Sequence, residues 1–335
     1  MPWFRKTPST SGTNNPDPLA GRQWLQYAPE DAAQCQADQD ALERGTIPEG
    51  AKRRVQRTVS GEMPWMSTLS VSELFLAELL HIEPIVQVAG SCYYHASTDQ
   101  RNRIYLDSNL DAANLVRAYY QAKDVSLERL REEARNAGAH AVIDAKHHFK
   151  REGTLVHFSI VGTAVRFKGL QVPRHPLVSS LSADDIYRLW QRGWMPMNFV
   201  LGYHWHCMPV GYRTRSATVS WYNQEVTTVT ERLMETRNHA MDRMRKDAAE
   251  HGRADGLVGV SVESQIEETE LMFSRGMGWD PGITIDGTFF PYEENGMVEV
   301  PAFNTEFFAT GTAVARLSRV PLLTSQIEAV LTLQS

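Results

Sequence analysis

Apolar positions follow two different spacings along most of the chain. Three- and four-residue spacings, typical of one face of a helix, occur in two stretches. The apolar positions in them are Leu127, Leu130, Ala134 and Ala137, and then Val226, Val229, Leu233, Ala240, Met244 and Ala248. Segments with strand character surround each stretch, near 85–95, 140–150 and 154–168, and near 197–208, 255–268 and 303–317. The pattern predicts the element order β-α-β-β twice.

A gap-free internal alignment supports this duplication. STLSVSELFLAELLHIEPIVQVAGSCYYH, which begins at Ser67, matches SSLSADDIYRLWQRGWMPMNFVLGYHWHC, which begins at Ser179, at an offset of 112 residues. In both segments a serine, Ser70 or Ser182, precedes acidic residues, as a helix N-cap does. The sequence therefore predicts two tandem units of the α+β class with antiparallel sheets.

The remaining segments set the predicted domain bounds. We expect a mostly disordered arm with one short helix at 1–66, units at 67–168 and 179–318, and a linker at 169–178. A tail or helix follows at 319–335. The basic cluster in PEGAKRRVQR is assigned to a solvent-exposed face. The second unit carries an insertion at 275–301, in which ITIDGTFF predicts an Asp-Gly hairpin. A lid, a contact arm between subunits and a surface loop are alternative roles for this insertion.

Several short motifs carry a family resemblance. The pieces VAGS and VLGY, EEARNAGAHAVI and RADGLVGV, and the closing GTAV resemble the YbjQ-like family, called heavy-metal-binding domains. The resemblance covers both units and leaves out the arm and the insertion. It implies dodecin-like β-α-β-β units that form closed rings, usually pentamers, and no known enzyme activity. Because two units are fused here, we expect a homopentamer with the first units in one tier and the second units in another.

The stretch LGYHWHCMPVG contains the first candidate metal ligands. In a strand, His204, His206 and Met208 lie on one face, and Trp205 and Cys207 lie on the other. We predict His204, His206 and Cys207 as metal ligands, because imidazole and sulfur donors suit Zn or Cu. A packed core strand with hydrogen-bonded histidines is the alternative.

A second candidate pair lies in the hairpin of the first unit. With a two-residue turn at Glu152-Gly153, His148 lies opposite His157 on the polar face. Two histidines across a strand pair can bind a divalent ion, and a pH-sensitive polar pair is the alternative.

Composition narrows the classes of function. Among 335 residues the formal net charge is -6, which argues against a broad nucleic-acid-binding face. No apolar run reaches the roughly 18 residues of a membrane span. Three cysteines, far apart in sequence, suggest a reducing compartment, and we expect a cytoplasmic protein. No nucleophile elbow, Walker loop or H-E-x-x-H motif occurs. The carboxylates of Glu132, Glu133 and Asp247 are assigned to solvent-exposed helix faces.

These patterns favour two functions over a third, an enzyme of unrecognised type with the insertion as its lid. The first is a non-enzymatic, ring-forming oligomer that binds a metal, Zn or Cu, or a small ligand. The alternative is a purely structural scaffold, in which the N-terminal arm recruits a protein partner.

Overall fold

The computed structural model describes residues 29–79, 82–96, 112–152, 155–167, 173–250, 254–275 and 280–316. The chain forms a small N-terminal unit, Met1–Gly50, and a large unit, Ala51–Ser335. The start of the arm, up to residue 28, and the predicted tail at 319–335 lie outside the described residues. Both predicted repeats belong to the large unit, so the boundaries between them stay predictions.

The elements alternate between helices and strands. The helices are α1 (Pro29–Glu43), α2 (Glu49–Val59), α3 (Val71–Leu79), α4 (Ala112–Asn136), α5 (Ala183–Gln191), α6 (Tyr212–Thr218) and α7 (Thr227–Glu250). The strands are β1 (Ile82–His95), β2 (Ala141–Glu152), β3 (Leu155–Phe167), β4 (Leu177–Val178), β5 (Trp194–Pro209), β6 (Gly256–Ser274), β7 (Gly282–Ile285), β8 (Thr288–Pro291) and β9 (Met297–Arg316).

The main strands form two sheets. The first sheet has the order β1-β3-β2-β4 and the second has the order β5-β9-β6. All pairs in them are antiparallel except the short parallel pair between β2 and β4. The predicted α+β class with antiparallel sheets is therefore confirmed. The connection predicted as a linker contributes β4, because Leu177 and Val178 pair with Ala141 and Val142.

The two sheets repeat one scheme of strand pairing. Ile82 pairs with Phe167 in the first sheet, and Trp194 pairs with Arg316 in the second. Both first strands shift register just after a proline, at Pro84/Val86 and Pro196/Asn198. The second strands also shift, at Ile143/Lys146 and Val258/Ser261. We call two residues equivalent when they occupy the same place in these two schemes.

A close approach of helix and strand explains one glycine in each sheet. A Cβ on Gly90 would lie 1.9 Å from the carbonyl oxygen of Ser126 on α4. A Cβ on Gly202 would lie 2.0 Å from the carbonyl oxygen of Ala240 on α7. Any side chain would push the helix off the strand, so VAGS and VLGY both need glycine at this place.

Serine residues cap the N-termini of α3 and α5, as the sequence predicts. The Ser182 hydroxyl accepts the backbone N–H of Asp185 at 3.1 Å, which confirms the predicted N-cap of α5. At Ser70 the hydroxyl accepts the N–H of Glu73, and the Glu73 carboxylate accepts the N–H of Ser70. This reciprocal pair is a capping box at the start of α3.

The largest core cluster is shared by the two sheets. It joins Val88, Leu130 and Phe158 of the first half to Phe199 and Tyr203 of the second. Tyr119 on α4 and Tyr203 on β5 have ring centroids 3.9 Å apart. The halves therefore pack on each other as parts of one hydrophobic interior.

The segment after α1 differs from its prediction as a solvent-exposed basic stretch. It forms α2, in which Val55 is fully buried in the shared core. Arg54 donates hydrogen bonds to the Gln87 carbonyl oxygen and to the buried Glu133 carboxylate. The basic cluster was read as solvated because Lys and Arg are usually exposed, whereas here one arginine neutralises a buried acid.

The insertion in the second half contains the predicted hairpin. Strands β7 and β8 pair across Asp286 and Gly287, whose φ angles are 54° and 72°. Asp-Gly suits this turn because both residues tolerate positive φ. Ile283 and Phe290 pack in a satellite cluster with Phe273 on β6. The Asp-Gly prediction is confirmed.

Candidate functional site

The histidines of β5 lie under α7. The Nδ1 of His204 is 2.9 Å from Nη1 of Arg243, and its ring centroid is 4.8 Å from that of His239. Burial, and then the Arg243 charge, lower the pKa of His204 to about 4. Burial is also the main cause of the lowered pKa of His206. Both rings are therefore neutral near pH 7, and the Arg243 guanidinium lies within hydrogen-bond distance of Nδ1 of His204.

Cys207 does not join these histidines. Strand alternation turns its side chain away from α7, as the sequence predicts, towards the side on which Arg151 lies. Burial raises the pKa of the Cys207 thiol to about 11. Burial therefore favours the neutral thiol form of Cys207.

The hairpin histidines are offset along their strands. His148 pairs with Ser159, and His157 pairs with Lys150, so the predicted opposition of His148 and His157 is wrong. Their rings lie diagonally, with centroids 6.3 Å apart. His157 instead stacks on Tyr93 at 4.2 Å. The actual register slips by two residues from the predicted one, and such a slip keeps every side chain on its face.

Among the residues that the structure describes, no group of three or more His, Cys, Asp or Glu side chains could hold a metal ion. His204 and His206 share one side of β5, Cys207 lies on the other, and His148 and His157 are in the first sheet. The candidates predicted on β5 and in the hairpin therefore lie in different sheets, as the sequence predicts.

Two buried carboxylates bind the edge strands from equivalent places on the two helices. On α4, Glu133 accepts the backbone N–H of Ala89 at 2.9 Å. On α7, Asp247 accepts the backbone N–H of Leu201 at 2.9 Å. Both carboxylates are buried, so their assignment to solvent-exposed faces was wrong. One signal could have identified them, because an acid directly precedes alanine in both EEAR and KDAA.

Each carboxylate takes its cation from a helix that lies earlier in the chain than its own helix. Arg54 of α2 lies 2.6 Å from Glu133, and Lys123 of α4 lies 2.8 Å from Asp247. The Lys123–Asp247 pair is fully desolvated, and it joins the first half of the chain to the second. A buried charge needs such a partner, so this pair fixes how the two halves meet.

A polar cavity of about 370 Å³ lies between the two sheets, and residues of β2, β6 and β9 line it. Arg151 of β2 and Glu306 of β9 form an ion pair in its wall, with Nη2 and Oε1 2.9 Å apart. Burial raises the pKa of Glu306, and the Arg151 charge opposes this change. Phe149 and Phe308 stack beside the pair with centroids 5.0 Å apart. The arrangement is that of an interface, with aromatic contacts and a partly buried ion pair.

Comparison with known proteins gives one relative. The chain is 28% identical over 214 residues to encapsulin nanocompartment protein Rv1762c of Mycobacterium tuberculosis (strain ATCC 25618 / H37Rv). The alignment covers 61% of this chain and 80% of that protein. No family model matches the chain. No solved structure matches it either.

These findings correct the function predicted first from the sequence. The relative is named as a nanocompartment protein and not as a metal- or ligand-binding ring protein. Among the described residues, no group of three or more His, Cys, Asp or Glu side chains could hold a metal ion. The heavy-metal-binding function was therefore wrong. Strand alternation predicts the donors of β5, but it cannot show that Arg243 lies beside them. Within the described residues, no helix combines the length and apolarity needed to cross a membrane.

Proposed function

We propose that this chain is a non-enzymatic structural protein that self-associates as a component of a protein nanocompartment. The observation that carries the proposal is the similarity to a protein named for an encapsulin nanocompartment. The proposed role corresponds to the structural scaffold that the sequence offered as its second function.

The contact between the two halves supports an assembly role. It is heterologous, because Lys123 and Phe149 of the first half contact Asp247 and Phe308 of the second, which are not their equivalents. A heterologous contact leaves one unused copy of each surface on every chain. Such surfaces are what a self-associating protein needs, and they generate rings or longer arrays.

The repeated pairing scheme supports two units of one design. We infer that they are YbjQ-like, dodecin-like β-α-β-β units that close into a ring. The equivalent register shifts and the equivalent glycines Gly90 and Gly202 favour this inference. The two-tier pentamer and the recruitment of a partner by residues 1–66 stay predictions.

Measurement of mass in solution tests the proposal. The purified full chain, without a tag, is passed over a sizing column with light scattering, and the same fractions are imaged by negative-stain electron microscopy. We expect a closed oligomer and regular particles. Five chains per particle would match the two-tier pentamer. A monomer at every micromolar concentration tested would overturn self-association.

A further inference from the structure

Two apolar surfaces at opposite ends of the duplicated structure are exposed. The first, which we call the leading strip, consists of Trp65, Met66, Val71 and Phe75, all exposed. The second, which we call the trailing strand, is the part of β6 that carries Val260, Val262 and Ile266, also exposed. Isolated apolar residues on a surface are ordinary, whereas these are grouped on one segment each.

The internal repeat shows what the leading strip is built to contact. At the offset of 112 residues its members correspond to Leu177, Val178, Ala183 and Tyr187. Met66 is 55% exposed and Val178 is 0% exposed, while Val71 is 85% exposed and Ala183 is 0% exposed. Two of these positions are therefore open in the first copy and fully buried in the second, where Leu177 and Tyr187 are half-buried.

The partner of the buried copy is strand β2. Leu177 and Val178 pair in parallel with Ala141 and Val142. Further along, the N–H of Ser179 donates to the Val142 carbonyl oxygen at 2.9 Å. Ala183 and Tyr187 of α5 then pack in the cluster that contains Ile143 and Val165. One segment thus supplies a short strand and a helix to the edge of the preceding sheet.

The trailing strand is the equivalent of β2 in the second sheet. Gly256 and Leu257 pair with the same places on β9 as Ala141 and Val142 do on β3. Val260 is 43% exposed, and its equivalent Ala145 is 3% exposed. In the described part of the chain, β9 is the strand that pairs with β6, and it lies on one side. The other edge of β6 therefore offers the backbone groups that β2 uses for Leu177–Ser179.

We propose that the leading strip of one copy docks on the trailing strand of a second copy, with Trp65 and Met66 forming a parallel strand beside Gly256 and Leu257. This inference rests on the self-association proposed above and names the surfaces that carry it. The occupant is a second copy because each chain carries both halves of the contact, and the described residues leave both of them uncovered. Their geometry is that of the contact already formed inside the chain.

Docking in this geometry also brings α7 of one copy to the first sheet of the next. Lys123 of α4, which binds Asp247 inside the chain, corresponds to Arg237 of α7, which is exposed. Asp247 corresponds to Glu133, whose cation inside the chain is Arg54 of α2. In the assembly, Arg237 of one copy therefore takes the place of Arg54 as the cation that pairs with Glu133 of the next copy. Helix α2 is the intramolecular competitor of the incoming helix, so its release favours assembly.

This contact sets the arrangement of the halves. Both sheets of every chain lie in one continuous row, because the contact between chains repeats the contact within a chain. A ring built in this way holds first and second halves in alternation. It differs from two stacked tiers of five in the number of units around the ring and in the number of layers, and end and side views of the particles distinguish the two arrangements.

Disulfide trapping tests the strand pair directly. In a Cys35→Ser background, which removes the exposed thiol, we combine Met66→Cys and Leu257→Cys and add oxidised glutathione. The matched control combines Val142→Cys and Val178→Cys, which are paired inside the chain. We expect a ladder of cross-linked chains from the first pair and a cross-linked monomer from the control, because facing strand residues lie within disulfide range.

The outcomes separate this inference from the proposed function. An assembled protein that forms no ladder, while the control cross-links, overturns the docking geometry and leaves self-association standing. A protein that is monomeric by light scattering overturns both. The chain also contains Pro321–Ser325, PLLTS, which resembles Pro176–Ser180, PLVSS. A cross-link within one chain between Leu257→Cys and Leu323→Cys, without a ladder from Met66→Cys, would assign the edge to that segment and overturn docking by a second copy.

Charge substitutions give an independent measurement. Val260→Lys places a cation on the trailing strand, and Val219→Lys places one on an exposed residue elsewhere. We expect the first to lose the assembled species and the second to keep it. Arg54→Ala should raise the assembled fraction, because it weakens the competitor, and Arg53→Ala on the exposed face of α2 should leave that fraction unchanged. A decrease in assembly with Arg54→Ala in a protein that remains folded contradicts the exchange at Glu133.

Discussion

The first and second sheets share one design and differ in what covers their edges. In the first sheet, Arg54 of α2 contacts the β1 edge, and Leu177–Ser179 pair with β2. In the second sheet, Tyr120 and Asp247 contact the β5 edge, while the described residues place no strand against the outer edge of β6. Equivalent residues are therefore buried in one copy and exposed in the other. Burial here reflects the neighbour and not the local sequence.

The comparison also shows how one carboxylate site accepts different cations. Glu133 and Asp247 make the same bond to an edge strand, yet the first binds an arginine from α2 and the second a lysine from α4. Arg54 is partly exposed and Lys123 is fully buried. The pair inside the duplicated structure is consequently the more costly one to break.

Removal of Lys123 is the strongest test of that difference. Lys123→Met leaves the buried Asp247 without its cation, and we expect the free energy of unfolding to fall by about 3–5 kcal/mol. Arg54→Met should cost clearly less, because solvent reaches the Arg54 side chain. Urea denaturation followed by circular dichroism measures both. The double variant Lys123→Met, Asp247→Asn keeps an acceptor for the Leu201 N–H, and it should recover much of the loss. Equal costs for the two single variants would remove the distinction between the two sites.

Glycine substitutions test whether the two helices approach their strands equally. The new Cβ would lie 1.9 Å from a helix carbonyl oxygen in Gly90→Ala and 2.0 Å from one in Gly202→Ala, so the two clashes are similar. We expect similar losses of about 3 kcal/mol, since the helix must move away from its strand. Gly256→Ala is the control, because its Cβ meets Val314 at an ordinary 3.6 Å. A tolerated Gly202→Ala beside a damaging Gly90→Ala would show that the second helix packs loosely.

The smallest expected effect is the contribution of His204, in the second half, to the dependence of stability on pH. The folded pKa of His204 lies near 4, against an ordinary value of 6.5. Between these values the unfolded chain binds more protons, so the stabilising contribution is present above about 6.5 and is lost as the pH falls towards 4. His204→Gln should flatten this part of the stability curve, and His95→Gln, at an exposed position of the first sheet, should not. Denaturation midpoints from pH 7 to pH 4 give the result, and parallel curves for His204→Gln and the unmodified protein would contradict it.

Local signals in the sequence predicted much of the fold. The serine caps, the prolines that open β1 and β5, the alternation along β5 and the Asp-Gly hairpin all depend on near neighbours in the chain. The β2–β3 register was wrong by two residues, because a two-residue slip leaves His148 and His157 on the same face and the apolar pattern unchanged.

The site was harder to predict than the fold. Metal ligands were inferred on β5 because donors alternate there, but Arg243 comes from α7 and no local pattern announces it. The burial of Glu133 and Asp247 depends on how closely the helices lie to their strands, which the glycines at Gly90 and Gly202 permit. These are relations between distant segments, and residue spacing within one segment does not contain them.

The position of β4 in the chain has a consequence for synthesis on the ribosome. The strand that completes the first sheet is encoded only ten residues after β3 ends, since Phe167 is followed by Leu177. A nascent chain that folds from its N-terminus can therefore close that edge almost as soon as β3 emerges. The β6 edge has no such early cover among the described residues, so it is still open when β6 first pairs with β9. On polysomes, where newly made chains are crowded, the docking proposed above can therefore begin during translation.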